Sequence, residues 1–159
     1  MIKKIMGIAL LALASFMVQA QPKTGTSVPE IQLKDSKGNL VKLSSLKDKV
    51  ILIDFWASWC GPCRRSIPQL QTLYSKYKEK GFEIYGISVD NNANAWKRAL
   101  VENNIKWIQV NDPQGEVAGP WKVTYIPNTY LINKKGKIVA IDAPENALDD
   151  MVGKLLAEQ

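Results

Sequence analysis

Cys60 and Cys63 are the two cysteines of a 159-residue chain, and only Gly61 and Pro62 separate them. A nearly unbroken apolar run precedes them and a helical pattern follows, so Cys60 falls at or just before a helix N-terminus. Unpaired backbone N–H groups and the helix dipole stabilise an anion at that position, which lowers a thiol's pKa. A thiolate there can attack a disulfide, and Cys63, one turn on, can resolve the mixed disulfide that forms. Pro62 suits the first turn, where its missing N–H would be unpaired anyway. The spacing predicts thiol–disulfide exchange, with Cys60 as an exposed nucleophile and Cys63 as the resolving thiol. Two plainer readings compete. A purely structural disulfide closing so short a loop stabilises by only about 2 kcal/mol, and a two-cysteine metal half-site needs further ligands from a partner chain.

Composition narrows the chemistry. The chain has no histidine, which excludes Ser-His-Asp and Cys-His catalysis and histidine-ligated metal or haem. Two cysteines are too few for a zinc-thiolate site within one chain, so neither a metal nor a separate cofactor is expected. Hydrophobic residues at 46% and charged residues at 23% describe an ordinary globular chain of one domain. The net charge is +6, with Lys3 and Lys4 supplying two of the positive charges. The remaining basic residues are scattered, as in Arg64-Arg65 and Lys134-Lys135. No run is suited to tracking phosphates, so nucleic acid is not expected as a partner.

The elements that must hold the cysteines can be read from periodicity. Val50–Trp56 is apolar and β-rich throughout except at Asp54, the pattern of a strand buried on both faces. From Gly61 to Lys80, Ile67, Leu70, Leu73, Tyr74 and Tyr77 form a helical stripe that Gly81 ends, with Pro68 expected to bend the helix without breaking it. Phe82–Val89 reads as a second buried strand. Asn91–Asn104 reads as a second helix with Trp96, Ala99, Leu100 and Asn103 on one side, and Trp107–Val110 as a short strand. Upstream, Ile31–Leu33 and Leu40–Leu43 form a hairpin through a turn-rich link, and Ser44 and Ser45 are candidate caps for a brief helical turn. Thr129–Ile132 and Lys137–Ile141 make a second hairpin through Asn133-Lys-Lys-Gly136. Leu148, Met151, Val152 and Leu155 mark a closing helix. The alternation predicts an α/β fold with a central mixed β-sheet flanked by helices.

Residues 1–20 carry a basic start, an apolar stretch of 14 residues (Ile5 to Val18) and a small residue, Ala20, at the cut. This is the three-part pattern of a secretory signal. The stretch is shorter than the roughly 20 residues of a spanning helix. An uncleaved membrane tether is the alternative, and both place the folded part outside the cytoplasm, where disulfides persist. The expected organisation is a signal peptide or anchor over 1–20, a flexible lead-in over 21–28 and one domain over 29–159.

The segment Ile51-Leu-Ile-Asp-Phe-Trp-Ala-Ser-Trp-Cys-Gly-Pro-Cys63 resembles the active-site segment of thioredoxin-fold proteins. Together with Pro29–Leu33, Gly38 and Leu43–Lys49, it resembles the TlpA/ResA-like exported thiol–disulfide oxidoreductases. The resemblance implies a thioredoxin-like fold with an N-terminal β-hairpin. The 36 residues between Asp90 and Pro127 accommodate the extra helix–strand insertion of that group. It also implies that Tyr125-Ile126-Pro127-Asn128-Thr129 is a cis-proline loop, with Pro127 facing the cysteines and the Ile126 backbone binding a peptide. An ordinary trans turn is the competing reading, although proline is the residue for which a cis bond is cheap. Trp59, Gly61 and Pro62 complete the implied substrate surface, whereas Trp56, Trp96, Trp107 and Trp121 read as packing residues. Asp54 matches the family's buried carboxylate, whose pKa burial should raise, making it a candidate proton acceptor for Cys63. The competing reading is a solvent-facing aspartate on an edge. Arg64 and Arg65 fit either a thiolate-holding or a solvated role.

The implied activity is reduction of disulfides in exported proteins, with electrons relayed by a membrane partner, and cytochrome c maturation is one such setting. Many members dedicated to that task carry glutamate three residues after the second cysteine; Ser66 stands there. Two other functions are weighed. A thiol peroxidase of the same fold places threonine three residues and proline seven residues before the reactive cysteine, where this chain has Ala57 and Ile53. A redox-inert peptide-binding module would have no use for the intact cysteine pair.

Overall fold

The computed structural model describes residues 21–158. The expected leader, residues 1–20, lies outside the described residues. Seven strands form one sheet: β1 (Gln32–Asp35), β2 (Leu40–Lys42), β3 (Val50–Trp56), β4 (Phe82–Ser88), β5 (Ile108–Asn111), β6 (Asn128–Ile132) and β7 (Ile138–Ile141). Their spatial order is β2-β1-β5-β4-β3-β6-β7. The central pairs β3–β4 and β4–β5 are parallel, while β1–β2, β1–β5, β3–β6 and β6–β7 are antiparallel. The sheet is therefore mixed, as the alternation predicts. The N-terminal hairpin is β1–β2, and the helix–strand insertion is α2 (Ala93–Glu102) with β5.

Parallel neighbours require crossovers, and helices α1 (Gly61–Tyr77) and α2 supply them. Strand alternation divides the core in two. Val50 and Leu52 of β3, with Phe82 and Ile84 of β4, pack against Ile67, Leu70, Leu73 and Tyr77 of α1 and Leu148, Val152 and Leu155 of α3 (Glu145–Ala157). Ile51, Ile53 and Phe55 face the other way, into a cluster with Tyr85, Tyr130 and Trp121. The rings of Trp121 and Tyr130 lie edge to face at 4.8 Å. All seven residues of β3 and of β4 are buried, which explains their near-continuous apolar sequence.

Local expectations are met and corrected in detail. Helix α1 runs through Pro68 to Tyr77, and Gly81 closes the following 3-10 turn with φ 95°. Asn92 caps α2 by accepting from the N–H groups of Asn94 and Ala95. Asn103, expected on the apolar side of α2, instead terminates it, with its Nδ2 donating to the Ala99 carbonyl at 2.7 Å. Ser44 and Ser45 do not cap their turn; they lie inside the 3-10 turn Leu43–Leu46, where the Ser45 hydroxyl donates back to the Lys42 carbonyl. Within the segment 21–28, expected as a flexible lead-in, residues 25–28 are hydrogen-bonded along β7 and the turn before it. Gly25 N–H donates to the Ile138 carbonyl, Ile138 N–H to Thr26 and Val28 N–H to Gly136. The outer edge of β7 offers unpaired backbone groups, and this segment satisfies them.

Candidate active site

β3 ends at Trp56 and α1 begins at Gly61, so the turn Ala57–Cys60 places the cysteines at the C-terminal end of the central strands. Asp90, just beyond β4, holds that turn. Its carboxylate accepts from Ser58 N–H at 2.8 Å, Ser58 Oγ at 2.6 Å and Ser88 Oγ at 2.7 Å. Asp90 is itself buried, so these bonds replace the water its charge gives up. Sequence reasoning missed this residue; its one signal is an aspartate following a buried strand.

Cys60 is the N-cap of α1 and Cys63 lies in its first turn. The two form a disulfide with S–S 2.05 Å and Cα–Cα 5.3 Å. Cys63 N–H donates to Cys60 Sγ at 3.1 Å, so the sulfur occupies the place where a capping oxygen would accept. The expectation of an exposed Cys60 is corrected: in this oxidised form it is 5% exposed. The pair packs with Trp56, Ala57, Trp96 and Ala99. The exposed surface beside it belongs to Trp59, Gly61 and Pro62, with Trp59 69% exposed. Arg64 and Arg65 are exposed on α1. Trp56, Trp96, Trp107 and Trp121 are all buried.

The Ile126–Pro127 peptide bond is cis, and the Ile126 carbonyl oxygen lies 3.8 Å from Cys60 Sγ. This loop arrives from a segment that Asp112 shapes by accepting from the N–H groups of Glu116, Val117 and Ala118. Asp142 fixes its far side: it accepts from Tyr125 Oη, from Asn128 Nδ2 at 2.8 Å and from Thr129 N–H at 2.8 Å. Tyr125 is 60% exposed, so an aromatic ring stands on the loop as Trp59 stands beside the cysteines. Neither Asp142 nor Tyr125 was singled out from sequence.

Asp54 is buried in β3 on the face of Val50, Leu52 and Trp56, the face that α1 covers. Burial pushes its carboxyl up to about 7, and no charge or hydrogen bond among the described residues offsets this. A carboxyl in that range can exchange a proton at neutral pH. The structure thus brings Cys60, Cys63, Trp59, Gly61, Pro62, Ile126 and Pro127 to one end of the sheet, with Asp54 on the strand that leads there. Among the described residues no cluster of three or more His, Cys, Asp or Glu could hold a metal ion.

Comparisons agree with this geometry. A family model described as Redoxin matches residues 23–155. The thiol-disulfide oxidoreductase ResA of Oceanobacillus iheyensis is 34% identical over 137 residues, spanning 84% of this chain and 71% of that protein. ResA of Bacillus cereus is 31% identical, spanning 88% of this chain and 81% of its own. Among solved structures, the thioredoxin domain of a thiol-disulfide oxidoreductase from Bacteroides vulgatus has a TM-score of 0.79 at 36% identity, over 84% of this chain and 98% of that one. A thiol:disulfide interchange protein from Bacteroides sp. has a TM-score of 0.79 at 35% identity, over 86% and 92%. With its sheet order, its Cys60–Cys63 disulfide at a helix start and these relatives, the chain belongs to the Redoxin family and is a thiol–disulfide oxidoreductase of thioredoxin-like fold.

Proposed function

We propose that the protein works outside the cytoplasm as a reductant of disulfides in exported proteins. Cys60 attacks, Cys63 resolves and Asp54 accepts the proton. The observation that carries this reading is Cys60 Sγ at the N-cap of α1, receiving the Cys63 N–H beside the Ile126 carbonyl. In the reduced state the same N–H group favours a Cys60 thiolate over its thiol.

Cys60 thiolate attacks one sulfur of the substrate disulfide, forming a mixed disulfide and releasing the other substrate sulfur as a thiolate. Cys63 then transfers its proton to Asp54, and its thiolate attacks Cys60 Sγ. The second substrate thiolate leaves and the Cys60–Cys63 disulfide forms. Two electrons pass to the substrate, and no cofactor beyond the cysteine pair takes part. The Ile126 carbonyl offers a backbone acceptor to an extended substrate segment. Trp59, Gly61, Pro62 and Pro127 form the surface on which that segment lies.

Returning the pair to the dithiol state calls for a donor, and a membrane protein relaying electrons across the bilayer fits an exported enzyme. The basic and apolar pattern of residues 1–20 supports export, by cleavage or as a tether. Because Ser66 replaces the glutamate of many members dedicated to cytochrome c maturation, the reading extends to exported disulfide proteins generally, with an apocytochrome as one case.

Trapping tests it. Cys63→Ser should accumulate mixed disulfides through Cys60 with exported disulfide proteins, and Cys60→Ser should not. Absence of any adduct in Cys63→Ser removes the exchange mechanism. A measured reduction potential near thioredoxin's, about −270 mV, fits a reductant, and one near −120 mV reverses the direction.

A further inference from the structure

A row of residues crosses the sheet beneath the cysteines. Asp54 of β3 is paired in register with Gly86 of β4, and Gly86 with Gln109 of β5. All three stand on the helix-covered face. Gln109 is buried, and its Oε1 accepts from Trp56 Nε1 at 2.8 Å. An indole N–H only donates, so the amide's orientation is settled, and the remaining atom is Nε2 with two hydrogens. That Nε2 is buried with no hydrogen-bond partner among the described residues. It also lies directly over Gly86: a Cβ built there would be 2.1 Å from Nε2. The missing side chain at position 86 is therefore what lets the Gln109 amide lie across β4.

A buried amide left unpaired forfeits its bonds to water with nothing in return, which calls for a partner. Asp54 and Gln109 are two strand spacings apart, about 10 Å between backbones. The glutamine has already crossed one of those spacings. What is left is the reach of an aspartate side chain with one bridging water.

We propose that Gln109 is a positioning residue for Asp54: its carboxamide, oriented by Trp56 and admitted by Gly86, turns its free N–H groups toward the Asp54 carboxylate and stabilises the charged form. This rests on the reading of Asp54 as the proton acceptor. Other groups on the packed elements do not substitute for it. Cys60 and Cys63 are joined in the disulfide. Glu83, at the start of β4 and three residues before Gly86, is engaged by Tyr74 of α1 and by Lys49. Lys76 of α1, Lys97, Arg98 and Glu102 of α2, and Glu145, Asp149, Asp150 and Lys154 of α3 are all exposed.

The test is a titration of the full oxidised chain by NMR, following the Asp54 carboxyl carbon and the Gln109 side-chain amide together. The Gln109 Nε2 resonances should move with the Asp54 midpoint. In Gln109→Leu the Asp54 midpoint should rise by about one pH unit, since hydrogen bonds to a carboxylate lower its pKa. Gln109→Glu should raise it further by placing a second carboxyl in the row. A packing role alone would change the unfolding midpoint and leave the Asp54 titration where it was. Flat Gln109 resonances across the Asp54 transition overturn the proposal, and so does an unmoved midpoint in a folded Gln109→Leu. If that variant does not fold, the wild-type titration decides. Failure of the parent reading looks different: Asp54→Asn would then resolve mixed disulfides at the wild-type rate whatever Gln109 does.

Discussion

Cys63 donates its backbone N–H to the Sγ of Cys60 across 3.1 Å, so the residue proposed to resolve also solvates the sulfur proposed to attack. The two sulfurs are not equivalent. Cys60 caps the helix, whereas Cys63 lies in its first turn, 4% exposed and packed with Trp56, Trp96 and Ala99. In the reduced protein Cys60 should react with iodoacetamide at neutral pH at least about tenfold faster than Cys63. Peptide mapping after brief alkylation gives the ratio, and equal labelling would contradict the assignment of roles.

The burial of Asp54 ties stability to pH with a definite sign. Its folded carboxyl is raised from 3.8 to about 7 by burial. Between those values the unfolded chain has released the proton and the folded one has kept it. Its contribution is therefore fully present below about pH 4 and declines as pH rises through about 7. Asp54→Asn should be more stable than wild type above pH 7, by on the order of 4 kcal/mol, and the gain should shrink toward pH 4. Urea unfolding at a series of pH values measures it.

The same substitution should slow the resolving step. General-base assistance contributes about 10²-fold or more, so mixed-disulfide decay in Asp54→Asn should fall by roughly that factor near pH 7. The deficit should narrow in alkaline solution, where hydroxide can take the Cys63 proton in place of a carboxylate. Stopped-flow reduction of a labelled protein disulfide reads this step.

Asp142 anchors the cis-proline loop through Tyr125, Asn128 and the Thr129 N–H. Asp142→Ala should cost about 1 kcal/mol of stability, as the buried Asn128 amide loses its acceptor. It should also raise KM for a protein disulfide about tenfold, while exchange with a small dithiol changes little. Equal losses on both substrates would mean that the loop does not bind substrate.

Asp90 plays the matching part on the cysteine side. Asp90→Ala leaves Ser58 N–H and the Ser88 hydroxyl without their acceptor. A loss on the order of 3 kcal/mol is expected, with Asp90→Asn milder. Thermal unfolding ranks the two variants.

Whatever depends on neighbours along the chain could be read from the sequence. β3 and β4 announced themselves as apolar runs, α1 by its stripe and Gly81, and the cysteine pair by its place between strand and helix. Even the burial of Asp54 followed from its flanking residues, Ile53 and Phe55. The tertiary structure decided what depends on residues far apart meeting. Asp90 reaches back 32 residues to Ser58, Asp142 reaches 17 to Tyr125, and Gln109 meets Trp56 across 53. The same holds for the closed position of Cys60 under α2 and the proline loop, and for the pairing of residues 25–28 along β7. Hydrophobic periodicity records which side of an element is buried, because that is a property of local spacing. A polar side chain's partner is selected only when the sheet sets strands in register, and no spacing along the chain encodes that choice.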